Sequence, residues 1–197
     1  MDHLLEGLCE RLSLKEREED GLLLEESSVE EMIVRGEKCL IFKLMTVKHF
    51  NKEALKSTMK KGKEKVKREG PWSFDRHLVI TKDVMGLQQV HQVAMKEALF
   101  WVRIYDLLVM VRNANVGKTI GSALGRVIEV DLENDDLAES EYMRVRVCFD
   151  ISKPLSRGKN VCVGSPFPIW VRFSYEMMPT FCYLRGILGH NHKDCEM

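Results

Sequence analysis

The sequence predicts a mixed α+β fold, and three patterns indicate it. Residues 100–106, 142–151 and 169–176 alternate between apolar and polar side chains, which is typical of strands with one buried face. Apolar residues at helical spacing over 116–124 predict a helix between the first two of these strands. The short apolar run at 39–45 has the length and composition of a buried strand.

The second half of the chain is predicted to form a strand, a helix and then three strands. Val116, Ile120 and Leu124 make the apolar stripe of the helix, and glycines stand beside the stripe at positions 117, 121 and 125. Because glycine has no side chain, this spacing lets the helix approach a sheet closely, and Gly125 can also supply a left-handed cap. A strand is expected next at 126–132.

The first half is organised around two predicted strands, 39–45 and 77–80, with a helix after the first of them. Asn51 is a good N-cap for this helix. Phe50 and Leu55 stand at the two positions of a hydrophobic staple, which supports a helix start here.

Two other segments of the first half are less regular. Residues 62–70 are almost wholly charged. Residues 81–99 place apolar side chains at helical spacing, but Gly86 interrupts the pattern, so the predicted helix is weakly supported.

The composition excludes several classes of protein. The chain has 197 residues, with 30 Lys and Arg against 30 Asp and Glu, so it is neither a histone-like polycation nor an acidic disordered chain. The longest apolar run, 107–111, is far shorter than the roughly 20 residues of a membrane span, which predicts a soluble protein. The first residues lack a secretory signal pattern, so a nuclear or cytoplasmic, reducing compartment is expected for the six cysteines.

The balanced total charge conceals two segments of opposite charge. Residues 2–31 carry eleven acids and three bases, a balance of −8, while residues 48–69 carry nine bases and three acids, a balance of +6. A short amphipathic helix is predicted at the start of the acidic head by Leu4, Leu5, Leu8 and Leu12. The acidic head could bind the basic segment or a protein partner, and the basic segment is either a solvated surface or a phosphate contact.

The alternating strands predict one sheet face that carries aromatic rings and arginines. If the strands share a sheet, the side chains opposite its apolar face are Trp101, Arg103, Tyr105, Arg144, Arg146, Trp170 and Arg172. Rings stack on unpaired bases and guanidinium groups hold phosphates, so this pattern indicates binding of single-stranded nucleic acid. The alternative is that another layer of structure covers the face.

The C-terminal segment has the spacing of a CCHC zinc knuckle, C-x2-C-x4-H-x4-C, and resembles that family. The first, third and fourth ligand positions are occupied by Cys182, His190 and Cys195. Gly186 and Gly189 stand at the two glycine positions of the family, and Tyr183 stands at its aromatic position. Arg185 stands where the second cysteine ligand is expected.

The missing ligand predicts that zinc binding is weak or absent. Three ligands do not close a tetrahedral structural site, and a guanidinium adds a cation beside the metal. His192 could turn inward as a substitute only with strained geometry. Metal binding is expected to be the folding energy of so short a segment, about 10–16 kcal/mol in complete fingers, because the segment has almost no core of its own.

The resemblance extends to plant retroelement-derived proteins, in which a domain of unknown function precedes a CCHC knuckle, as in the first open reading frame of plant LINE-type elements. It covers the chain from about Leu4 to Cys195 and depends on residues 70–75, 100–104, 121–131, 144–146, 151–155 and 170–173. The family implies a protein that binds RNA or single-stranded DNA in a packaging or chaperone role, without catalysis and with zinc as the expected ion. Asn191 departs from the family at the position of an apolar residue that helps the aromatic side chain hold a base.

The same resemblance implies an RNA-recognition-like first domain, β-α-β-β-α-β. In this sequence Lys61 is followed almost at once by the segment 63–70, which resembles the end of the second helix, so the two middle strands are missing from the pattern. The predicted fold is therefore α+β, with a truncated RNA-recognition-like first domain, a second small α/β sheet domain and a C-terminal degenerate zinc knuckle. The predicted divisions are an acidic head at 1–36, then 37–84, 85–176 and 177–197.

No catalytic motif is complete, so the chain is predicted not to be an enzyme. Gly117, Lys118 and Thr119 match the end of a phosphate-binding loop, but Arg112 stands at the position of its first glycine. Nucleic-acid binding is the main hypothesis. A protein-interaction role and a decayed product without selected function are the alternatives.

Overall fold

A computed structural model describes most of the chain. The described residues are 21–46, 48–60, 62–84, 89–131, 140–164 and 166–195. The helix predicted at Leu4, Leu5, Leu8 and Leu12 lies outside them. The predicted α+β class is confirmed, since helices and antiparallel sheets both occur.

Four α-helices and ten strands lie within the described residues. The helices are α1 (Glu26–Glu37), α2 (Lys52–Met59), α3 (Lys63–Glu69) and α4 (Ala114–Ser122). The strands are β1 (Leu40–Leu44), β2 (Trp72–Phe74), β3 (His77–Asp83), β4 (Glu97–Tyr105), β5 (Arg126–Asp131), β6 (Tyr142–Asp150), β7 (Gly158–Val161), β8 (Ile169–Tyr175), β9 (Phe181–Cys182) and β10 (Ile187–Leu188). No helix among these has the length and apolar character that crossing a membrane requires.

The first sheet has three antiparallel strands in the order β1-β3-β2. The predicted helix start is confirmed, because Asn51 Oδ1 accepts hydrogen bonds from the backbone N–H groups of Glu53 and Ala54. Leu55 of α2 is buried with Leu44 and Val79, so α2 covers one face of this sheet. The short strand β2, which the sequence analysis did not predict, supplies the third strand.

The second sheet has five antiparallel strands in the order β5-β6-β4-β8-β7. Helix α4 packs on its apolar face, and the predicted close approach is confirmed. A Cβ at Gly117 would lie 2.9 Å from Met143 and from Val130, and one at Gly121 would lie 2.8 Å from Val127. The glycines are therefore required by helix-on-sheet contact.

Three details differ from the predictions. No helix forms over the described part of 81–99, where residues 81–83 belong to β3 and the 3-10 turn Val90–Gln92 precedes the start of β4 at Glu97. Strand β7, which is short and lies at the sheet edge, was not predicted from the sequence. Gly125 does not have a left-handed backbone, and it is required instead because a Cβ there would lie 2.3 Å from the carbonyl oxygen of Cys148.

The two sheets share one hydrophobic core. Leu78 and Ile80 of β3 belong to the same buried cluster as Phe100 of β4 and Phe149 of β6. The other face of β3 carries Val79, which packs with α2. Strand β3 therefore has apolar contacts on both faces, and it joins the first sheet to the second.

Arg146 connects the second sheet to α3, on the open face of β6. Its guanidinium Nη2 donates to the backbone carbonyls of Lys67 and Arg68, at 2.8 and 2.7 Å, and the residue is only 7% exposed. These carbonyls lie in the last turn of α3, where a helix leaves acceptors without partners and where a cation is favoured.

Replacing Arg146 is expected to destabilise the fold. In Arg146→Leu the two carbonyls of α3 lose their charged donor, which costs about 1.5–3 kcal/mol of the free energy of unfolding. Urea unfolding measures the loss, and Arg157→Leu, at an exposed arginine ahead of β7, is the matched control. Equal stability of the two variants would contradict a stabilising role for the hydrogen bonds from Arg146 to α3.

Candidate nucleic-acid interface and metal centre

The C-terminal segment folds as a compact hairpin with two left-handed glycines. Strands β9 and β10 pair antiparallel, and the backbone N–H of Gly186 donates to the carbonyl of Cys182 at 2.8 Å. Gly186 and Gly189 have φ angles of +71° and +100°, which L-residues with side chains rarely adopt. The two glycines identified in the sequence are therefore explained by backbone geometry.

The three predicted ligands converge. The ligand atoms of Cys182, His190 and Cys195 all lie within 4.8 Å of one another. Asn191 helps to place the last of them, because its Oδ1 accepts from the N–H groups of Lys193 and Asp194 and caps the 3-10 turn His192–Asp194 that leads to Cys195. This capping role explains a polar residue at position 191.

The donors fit three corners of a tetrahedron but do not close a four-ligand site. No fourth His, Cys, Asp or Glu joins the cluster among the described residues. His192 is exposed and outside the cluster, so it does not serve as a substitute. Within the described part of the chain, a structural zinc site of the usual closed type therefore lacks its fourth ligand.

Arg185 and the backbone set the charge of the two thiols. Burial raises the pKa of the Cys182 thiol, but hydrogen bonds from the backbone N–H groups of Arg185 and Leu184 and from the Cys195 thiol lower that pKa below its usual value. Burial and the neighbouring Cys182 raise the pKa of Cys195. The hairpin thus shifts the pKa values of the two thiols in opposite directions, with the Arg185 cation contributing to the lower pKa of Cys182.

The knuckle is docked on the rest of the chain. The backbone N–H and hydroxyl of Thr180 donate to the carbonyl of Arg76, at 2.7 and 2.9 Å, and the N–H of Leu155 donates to the carbonyl of Gly186 at 2.7 Å. Leu188 is 4% exposed and belongs to the core cluster that joins the two sheets. These contacts come from the β2–β3 turn, the loop before β7 and the core.

This docking corrects one expectation. The segment was expected to have almost no core and to depend on metal binding for its folding energy. Instead Cys182 is fully buried and Leu188 is almost fully buried against the sheets. Apolar burial and hydrogen bonds to other elements therefore contribute to the stability of the hairpin independently of a metal.

Tyr183 projects from the knuckle into solvent. Its side chain is 81% exposed, and the edge of the ring contacts Phe181 with the two centroids 5.3 Å apart. Leu184 and Arg185, which follow it, are also exposed. The tip of the knuckle thus presents an aromatic ring and a cation together.

The predicted faces of the second sheet are confirmed. Phe100, Val102 and Ile104 of β4 are fully buried, and the register pairs their neighbours across the open face of the sheet. The paired residues are Trp101 with Arg146, Arg103 with Arg144, and Tyr105 with Tyr142 and Arg172.

Two arginines of this open face are already paired with carboxylates. Glu176 accepts from Arg103 Nε at 2.7 Å and from Arg144 Nη2 at 2.9 Å, while Arg144 Nη1 donates to Asp131 at 3.0 Å. Burial raises the pKa of Glu176, but the hydrogen bonds from the two arginines lower that pKa below its usual value. Glu176 is therefore charged near neutral pH and neutralises part of the face.

Glu176 was missed in the sequence analysis, although a signal was present. It stands two residues beyond Ser174 in the outward-facing series of β8 that begins with Trp170 and Arg172. The alternation that identified the arginines therefore also predicts a carboxylate on their face.

Aromatic rings of the same face make cation–π contacts with these arginines. The Arg144 guanidinium lies 4.0 Å from the ring centroid of Trp101, and that of Arg103 lies 4.6 Å from the ring of Tyr142. Such contacts hold the guanidinium groups flat on the sheet. The inner part of the face, with Arg146 buried under α3, is therefore a network of internal contacts, as the alternative of a covering layer anticipated.

The part of the open face around β8, next to the edge strand β7, remains exposed. Trp170 is 52% exposed, and its ring lies over Gly158 of β7, where a Cβ would come within 2.5 Å of it. The Arg172 side chain is 59% exposed, lies 4.8 Å from the ring centroid of Tyr105, and pairs with the equally exposed Asp106. We call Trp170, Arg172 and Tyr105 the β8 edge.

Comparison with known proteins identifies the C-terminal part of the chain. A family described as a zinc knuckle matches residues 149–197, from the end of β6 through β7 and β8 to the hairpin. No curated protein and no solved structure matches the chain. The match thus covers the predicted knuckle and strand β8, with Trp170 and Arg172 of the β8 edge.

Restoring the second cysteine is expected to create a zinc site. Because three ligands already converge, Arg185→Cys supplies the fourth ligand, a third thiolate, and should bind one zinc ion about 100-fold more tightly than Arg185→Ser, a control of similar size without a thiolate. Competition with a chromophoric chelator measures both affinities. If the unchanged chain binds zinc as tightly as Arg185→Cys, the arginine is not an obstacle to the metal.

Proposed function

We propose that this protein binds single-stranded nucleic acid without catalysis, through the β8 edge and the tip of the knuckle. The observation that carries the proposal is the adjacency of a half-exposed tryptophan and a half-exposed arginine, Trp170 and Arg172, on the strand that leads into a zinc knuckle. Rings that stack on bases beside cations that hold phosphates are the elements of sequence-tolerant recognition of single strands.

The ion pairs of the arginines favour the β8 edge, rather than the centre of the face, as the binding surface for nucleic acid. Arg103 and Arg144 share Glu176, whose side chain is 15% exposed, and partly buried charge pairs of this kind resist exchange. The Arg172–Asp106 pair spans 3.2 Å between two exposed side chains, and such surface pairs contribute about 0–1 kcal/mol. A phosphate can therefore replace Asp106 as the partner of Arg172 at little cost.

The knuckle adds a second stacking position. Tyr183 exposes its ring next to Arg185, so a base on the ring would have its phosphate near a guanidinium. In this proposal Arg185 stands at the position of a metal ligand but contacts phosphate instead, and zinc binding is impaired. The resemblance at residues 70–75, 100–104 and 170–173 supports an origin from a plant LINE-type retroelement.

A protein-interaction role is the second candidate, favoured by the described end of the acidic head. Leu22, Leu23 and Leu24 are 92%, 100% and 77% exposed, and the α1 side chains Met32 and Val34 are more than half exposed. Exposed apolar residues among acidic ones are typical of a partner-binding segment. This role predicts a protein partner that is lost on deleting residues 1–31 and kept when the β8 edge is altered.

Removing the β8 edge is expected to weaken nucleic-acid binding. In Trp170→Ala with Arg172→Ala, the affinity for labelled 12-nucleotide oligouridine or oligothymidine should fall about tenfold or more, since stacking of one base contributes about 1–3 kcal/mol. The salt dependence should become shallower by about 0.7 in log–log slope, for one lost phosphate contact. Fluorescence anisotropy over a salt series gives both quantities.

The control removes one exposed apolar residue and one cation from elsewhere on the molecule. Met110→Ala with Lys118→Ala alters the turn before α4 and α4 itself, which packs on the opposite face of the sheet. Equal affinities of the two double variants would rule out the β8 edge as the binding surface.

A further inference from the structure

A groove lies beside the two basic helices α2 and α3 and the first sheet. Its volume is about 330 Å³, and it lies between α2, α3 and strands β1 and β3. That volume is at the lower end of the range of pockets that hold small ligands. The groove belongs to the basic segment 48–69, which the β8 edge and the knuckle leave unexplained.

The lining of the groove combines an apolar floor with a cationic rim. Phe42 of β1 and Met59 of α2 contribute to the floor, and both pack against the small core of the first sheet. The rim carries Lys38, Lys56, Lys60 and Lys63. No carboxylate is among the described residues that line the groove, so its charged lining is made of lysines.

The four lysines differ in how far they are already paired. Lys63 lies 2.7 Å from Asp83 and also donates to the carbonyl of Glu37, and Lys56 lies 2.8 Å from Glu53. Lys38 and Lys60 have no ion-pair partner within the described part of the chain. Two cations on the rim are therefore available to an anionic ligand.

We propose that this groove binds one nucleotide of a single strand, with its base on Phe42 and its phosphates between Lys38 and Lys60. An aromatic floor beneath unpaired cations is the arrangement that holds a base and its phosphate together. The inference rests on the proposed function and extends it, because it places a second contact for the strand on the first sheet. An acidic peptide would match the rim but would gain nothing specific from an aromatic floor.

The test removes the two unpaired cations. Lys38→Gln with Lys60→Gln should lower the affinity for labelled oligouridine about tenfold and reduce the salt slope by about 1.4, for two lost contacts to a single strand. The control is Lys52→Gln with Lys65→Gln, which removes one exposed lysine from α2 and one from α3, both outside the groove lining. This control should change the affinity and the salt slope much less.

A cross-linking experiment tests the floor without relying on charge. Oligouridine that contains 4-thiouridine should cross-link on irradiation to the peptide that includes Phe42, and Phe42→Leu should lose this product while its apolar contacts with the core remain. Unlabelled polyglutamate and unlabelled oligouridine are then added in excess, at equal total charge, as competitors. Polyglutamate should not suppress the cross-linked product more than oligouridine does.

The outcomes separate this inference from the proposed function. If oligouridine binds and depends on Trp170 and Arg172, but the Lys38 and Lys60 variant equals its control, the groove proposal is wrong and the β8 edge stands. If polyglutamate binds in the groove in preference to oligouridine, the groove is a peptide site. If the unchanged chain binds no single strand, both proposals fail.

Discussion

The packing of the knuckle against the rest of the chain is the contact on which the structure of its C-terminal half depends. Leu188 enters the core shared by both sheets, and Thr180 and Gly186 exchange hydrogen bonds with the β2–β3 turn and the loop before β7. An isolated knuckle of this length needs metal to fold. Here the hairpin packs against a larger domain. Without a ligand at position 185 it therefore keeps its apolar contacts and its hydrogen bonds to other elements.

The charges of the open face follow from the same packing. Arg146 lies under α3 and donates hydrogen bonds to the last carbonyls of that helix. Glu176 forms ion pairs with Arg103 and Arg144 at the centre of the sheet. Toward β8 a ring and a guanidinium remain half exposed. A face that is uniform in sequence thus divides into an internal network and an external edge.

Strand faces and helix contacts could be predicted from the sequence because both depend on local periodicity. Alternation placed Phe100 and Val102 inward, and the glycine spacing located the contact of α4 with the sheet. The roles of Arg146 and Gly125 depend on which backbone passes beside them, and no local pattern reports that. The convergence of the three ligands could be predicted from spacing, whereas the docking of Leu188 could not, because its partners are distant in sequence.

We propose that contacts with the rest of the protein, and not a metal, hold the knuckle in place. The direct test of this proposal compares the unchanged chain after removal of metal by a chelator and after addition of one equivalent of zinc, with thermal unfolding and oligouridine affinity measured on both. We expect midpoints within about 2 °C, less than about 1 kcal/mol for a chain of this size, and equal affinities. An unfolding midpoint that rises by many degrees with zinc, together with binding that appears only with zinc, would contradict it.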